Sequence, residues 1–116
     1  MAPPHSHPRA SEAAAVLAGS VPVGSFRGHV VYRLYTQLLR AGEAFVFPRA
    51  MVHLLYNVDA AAPAVVLSVL DSQSPGAQLV PFSASWTEPR MPAEVAKKAF
   101  KITRQDVQMI QRNLGG

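Results

Sequence analysis

Short apolar runs broken by Gly, Pro, Asn and Asp cover most of the chain, and their spacing is that of strands. Residues 13–18 lead into a Gly19-Ser20 turn and then into residues 21–26, which predicts a β-hairpin with Pro22 at an edge or a bulge. Residues 30–39, rich in Val, Tyr and Leu, predict a strand stopped by Arg40-Ala41-Gly42. Residues 43–47 and 51–58 predict two more around a turn centred on Pro48, with Phe45 and Phe47 on one face as core or lining. The β-branched run 64–70 predicts a buried strand. Regular strands with turn signals between them imply a sandwich or barrel.

The pattern changes near the C-terminus. Pro92 suits the first turn of a helix over residues 93–100, where its missing amide would have no partner anyway. Thr103 and Asp106 have the spacing of a capping box for a second helix, which Gly115 stops. Val107, Ile110 and Leu114 share one face of it, either as a subunit interface or docked on the chain's own sheet. This organisation divides the chain into a β unit over residues 1–90 and a helical segment over residues 91–116.

With 116 residues, 49% hydrophobic and 16% charged, the chain suits a single module with a modest core. The formal charge of +4 would suit an anionic partner, but the arginines lie singly and only Lys97-Lys98 are adjacent. No basic run interleaves with aromatics, which argues against nucleic-acid binding. Cysteine is absent, which removes thiolate chemistry and Cys-ligated zinc. No apolar run approaches the roughly 20 residues a membrane span needs, and Met1-Ala2-Pro3-Pro4-His5 does not read as a signal peptide. His29 reads as solvent-facing and Trp86 as packing.

Candidate chemistry is concentrated in His5, His7, Glu12 and His53. On an extended strand His5 and His7 point to one face, so two imidazoles can meet one ion. Glu12 has the wrong parity for that strand, and Pro8 with Ser11 marks a turn that would bring it in from the neighbouring strand. Three imidazoles and a carboxylate suit Mn, Fe, Zn, Ni or Cu better than calcium or magnesium. An octahedral ion would keep about two open positions, whereas a tetrahedral zinc site would be closed.

His5-Ser6-His7, four residues, Glu12, six residues and Gly19 resemble the first cupin motif. Pro3-Pro4-His5-Ser6-His7-Pro8 is similar to its plant germin-like form, and Gly42 through Pro48 and His53 to Asn57 is similar to the second motif. Likeness continues through Ser72-Gln73-Ser74-Pro75-Gly76 to Ala99-Phe100. The resemblance implies a mainly β, single cupin jelly-roll barrel, N-terminally truncated relative to germin-like proteins, with two short C-terminal helices. It also implies manganese held by His5, His7, Glu12 and His53, with Tyr56 and Asn57 as neighbours of the ligands. Implied partners are further copies of the chain, as a trimer or hexamer, and a small anion or superoxide. The implied place is the apoplast. Superoxide dismutation is the first activity implied. Oxalate oxidation ranks behind it, because oxalate-oxidising germins carry an asparagine where this chain has Ala2. A catalytically silent structural, storage or interaction module is the alternative, since missing strands would leave a sheet edge unpaired. Ala50 replaces the motif glycine, at a cost of roughly 1 kcal/mol where φ is positive.

Overall fold

A computed structural model describes residues 1–28, 33–79 and 92–114. His29, Trp86 and Gly115 lie outside the described residues. The strands are β1 (Ala2–Ser6), β2 (Glu12–Ala18), β3 (Ser20–Arg27), β4 (Arg33–Arg40), β5 (Ala44–Phe47), β6 (His53–Leu55), β7 (Val65–Leu70) and β8 (Gln78–Leu79). They form a five-stranded sheet, β4-β3-β6-β1-β8, and a three-stranded sheet, β5-β2-β7. The mainly β expectation holds, but among the described residues the sheets remain two layers without hydrogen-bonded closure into a barrel.

Alternation builds the interior. Glu12, Ala14 and Val16 of β2 are buried while Ala13 and Leu17 are exposed, and Phe47 points inward beside exposed Val46. Across the gap, Val21, Val23, Leu39 and Leu55 complete a core cluster with Ala14, Val16 and Phe47. Phe45 packs against the same cluster, so the two phenylalanines share the inward face as expected.

The predicted β2–β3 hairpin does not form. β2 pairs with β5 and β7, whereas β3 pairs with β4 and β6. Gly19, at φ 78°, carries the chain from one sheet to the other, and a Cβ there would lie 3.1 Å from the Ala64 Cβ. Two apolar runs that both need one interior can meet across the sandwich as well as side by side, and their alternation is the same either way. The true hairpin joins β3 to β4, from Ser20 opposite Arg40 to Arg27 opposite Arg33. Pro22 therefore sits in a central strand. Its carbonyl accepts from the Tyr56 amide on the β6 side, just past the end of the short β6, so no ladder partner lacks a donor there. The strand expected over residues 51–58 shrinks to His53–Leu55.

The expected buried strand over residues 64–70 is present as β7 but not buried. Its outward residues Val65, Leu67 and Val69 are 48%, 53% and 60% exposed, because only one face of this edge strand meets the interior.

The helices α1 (Ala93–Phe100) and α2 (Arg104–Leu114) cover the far face of the five-stranded sheet. There Val95, Ala96 and Val107 pack with Phe26, Leu34 and Leu54. Gly24 lies under this layer, where a Cβ would come within 3.0 Å of Leu34 Cδ1. Val107 thus docks on the chain's own sheet. The capping box is formed: the Thr103 amide donates to Asp106 Oδ2 at 2.9 Å, and the Asp106 amide donates to Thr103 Oγ1 at 3.1 Å.

Ala50 occupies a left-handed conformation at φ 62°, and its amide donates to the His7 carbonyl at 2.9 Å. An alanine methyl is strained there and a glycine is not. Ala50→Gly should raise stability by about 0.5–1 kcal/mol in urea unfolding, the relief of strain exceeding glycine's added chain entropy. An unchanged or lowered midpoint would show that the turn carries no strain.

Candidate metal centre

Four side chains from three strands and a turn meet between the sheets. His5 lies on β1 opposite His53 of β6, and His53 is also opposite Ser25 of β3. β1 ends at Ser6, so His7 stands just beyond it, at the start of the turn that returns the chain as β2. Glu12 opens β2, between Phe47 of β5 and Leu70 of β7. Histidines from the larger sheet and its adjoining turn thus face a carboxylate from the smaller one. One potential ligand atom from each of the four lies within 4.8 Å of every other.

Backbone contacts hold the turn. The Arg9 amide donates to the Pro75 carbonyl at 3.2 Å, and the Ser11 amide donates to Asp71 Oδ1 at 2.8 Å. The Arg49 amide donates to Ser11 Oγ at 3.1 Å. Segments remote in sequence therefore set where His7 and Glu12 point.

Each imidazole is oriented through Nδ1. His5 Nδ1 lies 2.7 Å from the Pro3 carbonyl, His7 Nδ1 2.6 Å from that of Gly76, and His53 Nδ1 2.9 Å from that of Met51. A carbonyl oxygen only accepts, so the proton is assigned to Nδ1 in all three rings and Nε2 is left as the free lone pair. This is the tautomer in which an imidazole binds a metal through Nε2 while its other nitrogen is held by a hydrogen bond. His53 is 1% exposed and stacks on Phe47 with ring centroids 4.1 Å apart.

Glu12 Oε2 lies 2.9 Å from both His7 Nε2 and His53 Nε2. With Nδ1 protonated, these are acceptors facing an acceptor, and at that distance they require a cation. An extra proton on an imidazole supplies one, and a divalent ion held by all four groups supplies another. The donor set therefore fits a borderline transition ion. The hydrogen bond with His53 is the largest influence on the Glu12 carboxyl and holds it down from 4.5 to about 2, against the opposing effect of burial, with the Ser68 hydroxyl and the neighbouring imidazoles assisting. Burial is the main reason the His5 pKa falls below 6.5, with the Pro3 carbonyl opposing and the other two imidazoles assisting.

Tyr56 and Asn57, expected beside the ligands, line the same cavity as His5, His7 and Glu12, and each has a further contact. Asn57 Nδ2 donates to the Ala62 carbonyl and Asn57 Oδ1 accepts from the Asp59 amide, which folds its own loop. Tyr56 packs against the cluster beneath the helices and lines a cavity of about 440 Å³ beside the four side chains. Sequence reasoning missed the three orienting carbonyls, which carry no residue signature, and missed Ser68, an inward position of β7.

An open two-sheet antiparallel sandwich with a His₃Glu cluster in its interior defines the class of protein. The cupin family profile matches residues 1–108. Over its full 116 residues the chain is 79% identical to germin-like protein 3-1 of Oryza sativa subsp. japonica, covering 51% of that protein. It is 44% identical to germin-like protein subfamily 1 member 1 of Arabidopsis thaliana, with 98% of this chain and 52% of the relative aligned. Among solved structures it is similar to a recombinant oxalate oxidase in complex with glycolate, at 35% identity and a TM-score of 0.60, over 98% of this chain and 57% of that one. The chain is thus a member of the cupin family, of the germin-like kind, and spans about half the length of the curated relatives it matches.

The pH dependence of the metal-free chain follows from the two shifted groups. His5 resists protonation when folded, so below 6.5 the unfolded chain takes up that proton first and stability falls. Glu12 contributes stability that is complete above 4.5 and is lost as pH falls to about 2. Urea unfolding at a series of pH values should show both losses, and Glu12→Gln should remove the lower one. A wild-type profile that is flat from 4.5 down to 2 would contradict the buried ionised carboxylate.

Proposed function

We propose that this chain is a manganese-binding germin-like cupin with superoxide dismutase-type redox activity in the plant cell wall. Its ligands are His5, His7, Glu12 and His53. The observation that carries this reading is the approach of Nε2 atoms to one carboxylate oxygen, with every Nδ1 held by a backbone carbonyl. Manganese, when bound, supplies positive charge for a small anion and a redox couple at an open coordination position. The chain's own residues hold and orient. Phe47 stacks on His53 and excludes water from its face, the three carbonyls fix the tautomer, and Glu12 ties the smaller sheet to the cluster. Oxalate oxidation, the activity named for the solved relative, is less well supported, because Ala2 lines the cavity where oxalate-oxidising germins carry an asparagine.

Elemental analysis of the purified chain should find near-stoichiometric manganese, and His53→Ala should lose it. Superoxide dismutase activity should disappear with the metal and return when manganese is restored. Metal that survives the substitution would overturn the ligand assignment. A chain without metal would leave a catalytically silent structural or interaction module as the reading.

A second copy of the chain is the partner this reading includes. On the outer face of the three-stranded sheet, Ala13 stands between Val46 and Val69, and Ala15 stands between Ala44 and Leu67. Leu17 and Val65 extend these rows, with Leu17 59% exposed and Val46 60% exposed. Among the described residues, the outward positions of these three strands carry no charged side chain. The area of this face, on the order of several hundred Å², is what a monomer rarely leaves open. Burying it on two copies approaches the roughly 800 Å² per partner of a stable interface. Light scattering should find an oligomer that Leu67→Lys converts to monomer, with the metal retained. A monomeric wild-type chain would exclude self-association through this face.

A further inference from the structure

A second cavity, of about 260 Å³, lies between the β3–β4 hairpin of one sheet and β5 of the other. Among the described residues, none of the four candidate ligands lines it, and no residue lines both cavities. Val23, Ser25 and Arg27 line it from β3, with Gln37 opposite Val23 and Tyr35 opposite Ser25 on β4. Phe45 and Phe47, with ring centroids 4.9 Å apart, form the wall of the other sheet. Val23, Ser25 and Phe47 are buried while Arg27, Tyr35 and Gln37 are exposed, so the cavity has a closed end and a mouth. At the mouth the Arg27 guanidinium lies 5.3 Å from the centre of the Tyr35 ring, and among the described residues it forms no ion pair.

Size and the placement of polar groups select the ligand. The volume is below the roughly 300–1,000 Å³ of pockets for drug-sized molecules and suits a single ring. Polarity is one-sided: Ser25 and Gln37 come from the hairpin, and the facing wall is aromatic. A pyranose carries hydroxyls around its whole rim, and those turned toward Val23, Phe45 and Phe47 would lose water without gaining a partner. A phenol concentrates its polarity at one edge and presents an aromatic ring to the two phenylalanines. The buried polar contact is the Ser25 hydroxyl, which can donate to or accept from another hydroxyl. Arg27 repels a cationic ligand and favours an electron-rich ring. Being exposed, it is screened and adds little for an anionic head group.

We propose that this second cavity binds a single-ring phenol, its hydroxyl at Ser25 and its ring between Val23 and the Phe45–Phe47 wall, without use of the metal.

Phenol, cyclohexanol, anisole and methyl glucoside separate the contributions, because each of the last three removes one feature of the first. In titrations of the full chain followed by amide chemical shifts, phenol should bind about threefold or more tighter than cyclohexanol, which lacks the aromatic ring. It should exceed anisole, which has no hydroxyl proton, by a similar factor, and methyl glucoside by more. Shifts should move at Ser25, Tyr35, Gln37 and Phe45 and stay in place at His5, His7 and Glu12. Ser25→Ala should weaken phenol about threefold while leaving anisole unchanged, and Phe45→Leu should bring phenol and cyclohexanol close to equal affinity. Treatment with EDTA should leave phenol binding unchanged. Equal affinity for phenol and cyclohexanol in the wild-type chain would overturn the aromatic assignment, and methyl glucoside binding as tightly as phenol would overturn the ligand class. Phenol binding that depends on metal, or that shifts only the residues of the metal centre, would overturn the site. No saturable binding of phenol up to about 10 mM, weak even for a ligand of this size, would overturn the inference outright.

Discussion

Glu12 is the point on which the two sheets depend. It is the first residue of a strand in the smaller sheet, it is buried, and its Oε2 lies 2.9 Å from imidazole nitrogens of His7 and His53. A buried carboxylate is costly unless it is paired, and here the pairing needs a cation between it and the imidazoles. Each ring has already committed its other nitrogen to a carbonyl. The site is therefore a set of lone pairs aimed at one place, and a cation completes it.

That arrangement requires rigid support, and the surrounding core provides it. Phe47 belongs both to the interior cluster and to the stack on His53, so packing the sandwich also fixes the ring. The helices act one layer away. By covering Phe26, Leu34 and Leu54 they bury the far face of the sheet whose near face carries His53. Gly76 links the turn to the site: its carbonyl holds His7, and the Arg9 guanidinium packs where a Cβ would otherwise be, 2.8 Å from Arg9 Nη2.

The outer face of the smaller sheet has the opposite character. The inward positions of β2, β5 and β7 serve the core and the centre, while the outward ones are nearly all Ala, Val and Leu and most of them are exposed. Strand alternation ordinarily places polar groups outward, and a sheet apolar on both faces is one that expects cover on both. The helical segment cannot supply that cover, since it is committed to the other sheet.

By itself the sequence determined the strand-rich class, the helices with their capping box, the inward alternation of Phe45 and Phe47, and the four residues that converge. Those features rest on local rules: period-two alternation, turn chemistry, and the spacing of His5, His7 and Glu12 around Pro8 and Ser11. The strain at Ala50 was legible through the family resemblance, as an alanine at the motif's glycine position. Tertiary structure alone decided that β2 and β3 lie in different sheets, that β7 is an edge strand with one bare face, and that Asn57 serves its own loop. It also decided which carbonyls hold the imidazoles. Strand pairing and backbone acceptors depend on residues tens of positions apart, such as His7 and Gly76, and a carbonyl oxygen is the same whichever side chain it accompanies.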